Sequence, residues 1–168
     1  MKSIQFAPLS RQRGVTLIVA LIFLAILMLL GVTVAQTSSM EERMAGNTRD
    51  RDLALQSAEA ALKAADTAMK ALPKDAAGKI TTVFDGSTAG YVAYNPANAS
   101  NAAYWNAYDW SGASQTAATS LSQVAQQPRY VIEKLPDAVT TQRFRVTARG
   151  VGASTSTVVI LQAGYENN

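Results

Sequence analysis

The chain has 168 residues, enough for one domain of ordinary size, and contains neither Cys nor His. Disulfides and thiolate metal sites are thereby excluded, along with the commonest zinc ligand, the commonest general base and the usual base of a serine triad. The net charge of +3 resides in the first fourteen positions, where Lys2, Arg11 and Arg13 meet no acid; from Val15 onward twelve Lys and Arg balance twelve Asp and Glu. A nucleic-acid face needs basic residues clustered on a folded surface. Arg49, Arg51, Arg143, Arg145 and Arg149 are too sparse and too interleaved for that, so no nucleic-acid partner is expected.

In chain order, a short basic leader (residues 1–14) precedes an apolar run of twenty-one residues, 15–35, that carries no charge. As a helix at ~1.5 Å per residue this run spans roughly 31 Å, the thickness of a bilayer core. Thr33-Val34-Ala35 would pass as the small-residue cleavage site of a secretory signal. The apolar region of such a signal is normally about 7–15 residues, however, and this one is longer. The basic flank should stay in the cytoplasm, with the remainder exported across the inner membrane.

Beyond the membrane run the helix is expected to continue over residues 36–72. Leu55, Ala58, Leu62, Ala65, Met69 and Leu72 recur at alternating spacings of three and four, a one-sided apolar stripe suited to packing under a sheet. Glu59 and Lys63 sit four apart on the polar face in the favourable order. Pro73 ends the helix, and Gly46-Asn47 is a soft point within it.

These segments carry a resemblance. Arg13-Gly14-Val15-Thr16-Leu17-Ile18 resembles the prepilin peptidase site of type IV pilins and type II secretion pseudopilins. A glycine before the cut has a physical rationale, because a backbone without Cβ enters a protease cleft easily. Ser38-Ser39-Met40-Glu41-Glu42-Arg43-Met44-Ala45-Gly46-Asn47-Thr48-Arg49-Asp50-Arg51 and Ala58-Glu59-Ala60-Ala61-Leu62 look like the N-terminal region of the PilX group of minor pilins. A weaker likeness returns at Arg145-Val146-Thr147-Ala148-Arg149-Gly150.

The resemblance implies cleavage between Gly14 and Val15, with methylation of the new Val15 amine. It implies other minor pilins, a major pilin and the prepilin peptidase as partners, a large tip adhesin as a further candidate, and a place in the inner membrane before the cell-surface pilus. One position departs from the family. The fifth residue after the cut is usually Glu, whose carboxylate is thought to meet a neighbouring subunit's amine inside the apolar bundle; here it is Val19. A subunit with Val19 offers no carboxylate to the subunit ahead of it, which suits the leading end of a filament. Alternatively, Val19 is simply another lipid-facing residue.

Residues 80–84 and 91–94 read as short strands, and residues 129–135, 142–149 and 155–163 as better ones. Phe144, Val146 and Ala148 alternate with Arg143, Arg145, Thr147 and Arg149, a pattern of one buried face and one wet face. Pro136-Asp137 and Gly150-Val151-Gly152 supply turns for an antiparallel meander. A long helix on an antiparallel sheet is an α+β arrangement, and pilins share that plan.

Residues 85–127 are rich in Ala, Ser, Asn, Gly and Thr, with a short helix expected over residues 119–126. Six of the twelve aromatics fall in residues 91–110, and Tyr104, Trp105, Tyr108 and Trp110 are candidate partner contacts; the alternative, slightly favoured, is a satellite core that pins the loop to the sheet. No catalytic, calcium-loop or phosphate-loop pattern is present, so neither an enzyme nor a cofactor nor a metal is expected. The reading is a minor pilin that primes pilus assembly at or near the tip. Its alternatives are the tip pseudopilin of a type II secretion system and an uncleaved single-span adhesive or sensory module.

Overall fold

The computed structural model describes residues 14–98, 101–117, 120–138 and 140–167. The basic leader before Gly14 lies outside the described residues, as does the start of the helix expected over 119–126. The chain divides into two compact units between Ala45 and Gly46. Helix α1, Val15–Ala71, runs through both. It closes two residues before Pro73, as the steric restriction on the residue preceding a proline requires.

In the second unit, α1 from Gly46 onward packs on a sheet built from β1 (Tyr91–Ala93), β2 (Gln115–Thr116), β3 (Arg129–Lys134), β4 (Gln142–Val151) and β5 (Val158–Asn167). The strands β3, β4 and β5 form the expected antiparallel meander, with Ile132 opposite Val146 and Val146 opposite Ala163. The sheet is mixed rather than wholly antiparallel. The short β1 runs parallel along Ile132–Lys134 of β3, and β2 runs antiparallel along the first two residues of the same edge. The chain is α+β, a long N-terminal helix on a sheet.

Residues 80–84 do not form a strand. Ile80 makes one bridge to Lys74, and its remaining pairing is satisfied by a side chain. Ile80 N donates to Gln142 Oε1 at 2.7 Å, and Gln142 Nε2 donates to Ile80 O at 3.1 Å, so the amide of Gln142 takes the place of a neighbouring strand. Asn167 joins the same cluster through Nδ2 to Gly78 O and to Gln142 Oε1, pinning the end of β5.

The helix expected over residues 119–126 is replaced, in its described part, by turns, and Gln123 has a φ of 73°, incompatible with a right-handed helix. The short helix of this region is α2, Ala102–Ala107, whose first turn is capped by Asn101 Oδ1 accepting from Tyr104 N at 3.1 Å.

The principal core lies between α1 and one face of the sheet. It holds Ala61, Ala65 and Met69 of the helix against Tyr130, Ile132, Phe144, Val146 and Ala148. The opposite face was expected to be wet, but it is largely covered. Glu133 and Thr147 are buried there, and Val131 packs with Trp105 and Trp110 from the segment between β1 and β2.

Candidate filament and partner surfaces

From Val15 to Met40 the helix carries no charged side chain, and its apolar residues face outward. Leu17 is 72% exposed and Leu29 71%. Its most apolar stretch of eighteen residues has a mean hydropathy of 3.1 and none of it is buried within the chain, so the helix is long and apolar enough to cross a membrane. Two hydroxyls inside this run are satisfied locally: Thr33 Oγ1 donates to Leu29 O at 2.5 Å and Thr37 Oγ1 to Thr33 O at 3.0 Å. Such a surface loses free energy in water and needs lipid or other helices around it. Gly14 sits just ahead of the helix, Val15 opens it, and Val19, 44% exposed, lies one turn on.

The second unit holds the helix–sheet contact, and here the structure shifts the expected stripe. Ala58, Ala65 and Met69 are fully buried, and Leu62 and Leu72 pack partly buried against the same core. Leu55 does not join them; it is 39% exposed. Beside Ala58, the buried positions at this end are Ala54, Ser57 and Ala61. The physical reason is the closeness of β4. A Cβ placed on Gly150 would fall on Ala54 O and on Ala58 N, so the backbones of helix and strand nearly touch, and a leucine has no room between them.

A second tie fixes the same end of the sheet. Asp50 Oδ1 accepts from Ala153 N at 2.5 Å and Ser154 N at 3.2 Å, which holds the β4–β5 turn to the helix. Its hydrogen bonds to the Thr157 side chain and to these two amides hold its carboxyl below the usual range, against a smaller opposing effect of desolvation.

The aromatic candidates separate. Trp105 and Trp110 are buried, and each indole N–H is satisfied within the loop, Trp105 Nε1 on Asn98 O and Trp110 Nε1 on Trp105 O, both at 3.0 Å. Tyr108 lies half-buried against both rings; its hydroxyl donates to Ala113 O, and burial pushes its pKa up to about 12. These three pack together as a satellite core that pins the loop to the sheet. Tyr104, 36% exposed, remains at the surface, edge-on to Trp105 at 5.0 Å.

Beneath this loop runs a polar contact that sequence reasoning placed in water. Arg145 Nε donates to Glu133 Oε2 at 2.7 Å, with the two side chains 12% and 3% exposed, and the guanidinium lies 5.5 Å from the centre of the Tyr94 ring. The alternating register of β4 put Arg145 on the far face; what covers that face was not legible in it.

Two family models match the chain in succession. Residues 13–63 match the PilX N-terminal family, and residues 71–167 match the family of type IV pilus assembly protein PilX, C-terminal part. The chain belongs to the PilX family of type IV pilus assembly proteins. No curated protein and no solved structure gives a significant match. For a PilX-family chain the exposed apolar helix is a membrane anchor within a pilus system, and other pilus components are the class of partner. Among the described residues no cluster of acidic side chains is arranged to hold a metal ion.

Proposed function

We propose that this chain is a minor pilin that is cut between Gly14 and Val15, methylated on the Val15 amine, and placed at or near the pilus tip, where it primes assembly. It acts as a structural subunit and not as an enzyme. Residues 15–35 serve first as a single membrane span, with the leader in the cytoplasm and residues 36–168 in the periplasm, and then as the part of the subunit inside the filament. Its partners are other minor pilins and the major pilin, with a large tip adhesin as a further candidate above it. The PilX families over both units favour the pilus over a type II secretion machine.

The observation that carries the tip assignment is Val19, an uncharged residue in an outward-facing apolar helix where the family resemblance expects a carboxylate. Side-by-side pilin helices bury a positive amine at each Val15-like end, and a neighbour's Glu neutralises it. A subunit without that Glu leaves the amine ahead of it unpaired. In a well-desolvated bundle this costs ~3–5 kcal/mol, a bias of roughly several hundredfold or more against internal positions.

Processing is tested by intact-mass measurement on the protein from its native host. A polypeptide starting at methylated Val15 is expected, and one starting at Gln36 or at Met1 would sink the assignment. Location is tested by immunogold labelling of sheared pili. Label at one end, with pili lost on deletion of the chain, is the expected result; label spread along the shaft overturns it. Val19→Glu should admit the subunit to the shaft more often, and unchanged incorporation would mean that the missing carboxylate does not hold it at the end.

A further inference from the structure

The two edges of the sheet are built differently. One is formed by β1 and β2, of three and two residues, and edges that short are poor templates for another chain. The other is β5, ten residues long, and no described segment pairs with its outer side. Natural edge strands are usually blunted by Lys, Pro or bulges. From Val158 to Gly164 this one, Val-Val-Ile-Leu-Gln-Ala-Gly, has no charge and no proline. Val158 is 37% exposed, and Val159, Ile160 and Leu161 are each partly exposed.

The first half of this edge is flanked by a cleft on each face of the sheet. On the α2 side, Ala102, Trp105, Asn106, Val158, Ile160 and Gln162 line a mostly apolar cleft of about 330 Å³. On the α1 side, Arg51 and residues 156–160 line one of about 480 Å³. Val159 is opposite Gly150, the residue that touches α1, and lines the second cleft alone, whereas Val158 and Ile160 border both clefts. Among the described residues Arg51 makes no ion pair, and it supplies a free positive charge to the second cleft. A free strand edge with pockets on both sides fits strand addition, in which main-chain hydrogen bonds hold an extended segment and the pockets select alternate side chains.

We propose that the outer edge of β5 from Val158 to Gln162 receives an extended segment of another pilus protein, which places an apolar side chain in the Trp105 cleft and an acidic one beside Arg51. A second copy of this chain fits less well. Its own β5 edge carries no acid between Val158 and Tyr165, and pairing would bring a second Arg51 to the interface instead of a carboxylate. The proposal does not depend on where the subunit sits in the filament, so label along the pilus shaft would leave it standing.

The test uses the full chain in its native host, with a photoreactive phenylalanine introduced at Val158 or at Gln162. Both positions should give adducts to one segment of another pilus protein, at points about four residues apart, because paired strands keep equal spacing. Arg51→Glu should lower both yields at least about tenfold (~1.4 kcal/mol), whereas Arg51→Lys should retain them. Adducts to a second copy of this chain, adducts scattered over unrelated sequences, or no adduct at either position would overturn the proposal. Undiminished yields in Arg51→Glu would overturn the acidic partner.

Discussion

Replacing Gly150 by Val is expected to unfold the unit formed by residues 46–167. Gly150 is a strand residue with no unusual dihedral requirement; what it supplies is space. Its missing side chain leaves room for the α1 backbone at Ala54 O and Ala58 N. Collisions with side chains relax by changes of rotamer, but a collision with helix backbone relaxes only by moving the helix off the sheet. That movement would open the contact among Ala54, Ala58, Ala61 and Ala148, all of which have no exposure. Overpacking alone costs ~1–3 kcal/mol, and a lost helix–sheet seam adds to it. A loss of about 4 kcal/mol or more is expected, against a total stability of roughly 5–15 kcal/mol for a domain. Thermal unfolding of the full chain in detergent, followed by near-ultraviolet circular dichroism, is the measurement. Gly164→Ala is the control, since a Cβ there meets nothing within 4 Å. A Gly150→Val protein melting within a few degrees of the parent would show that helix and strand are not in backbone contact.

The second large effect is expected from Arg145→Met. Removing the guanidinium leaves Glu133, 3% exposed in its side chain, as a buried carboxylate without its cation. Breaking one side of such a pair costs ~3–5 kcal/mol, while replacing both sides by apolar groups of similar volume is often neutral. The double variant Glu133→Leu with Arg145→Met should therefore recover most of the loss. Recovery is favoured further because Arg145 Nη2 is buried with no hydrogen-bond partner among the described residues, a cost that the double variant removes. Urea unfolding of the parent, both single variants and the double variant measures the coupling directly. A single Arg145→Met variant within about 1 kcal/mol of the parent would mean that water reaches the pair, at the strength of a surface salt bridge.

Both expectations concern places where a correct local reading stopped short. The alternation along β4 assigned Phe144, Val146 and Ala148 to one face and Arg145 and Thr147 to the other, and the structure keeps that division. Alternation says which residues share a face; it does not say what lies on it. The segment that covers the far face is poor in aliphatics and has no regular period, so its placement depends on Trp105 and Trp110 meeting Val131 across more than twenty residues of chain. The missing strand over residues 80–84 has a similar cause. Its β-prone composition is real, but Gln142, sixty-two positions away, satisfies the backbone of Ile80 first.

The sequence alone determined the features whose energetics are local: a charge-free apolar run long enough to cross a membrane, a helix that must stop ahead of Pro73, and strands whose side chains alternate. Tertiary structure decided which flank of that helix is buried. Hydrophobicity nominated Leu55, because periodicity ranks residues by their transfer free energy. The sheet chose Ala54 and Ala61 beside Ala58, because Gly150 brings two backbones so close that size outweighs hydrophobicity. Which of two adjacent helical positions faces a partner depends on the partner's shape, and in this chain that shape is set by a glycine almost a hundred residues further along.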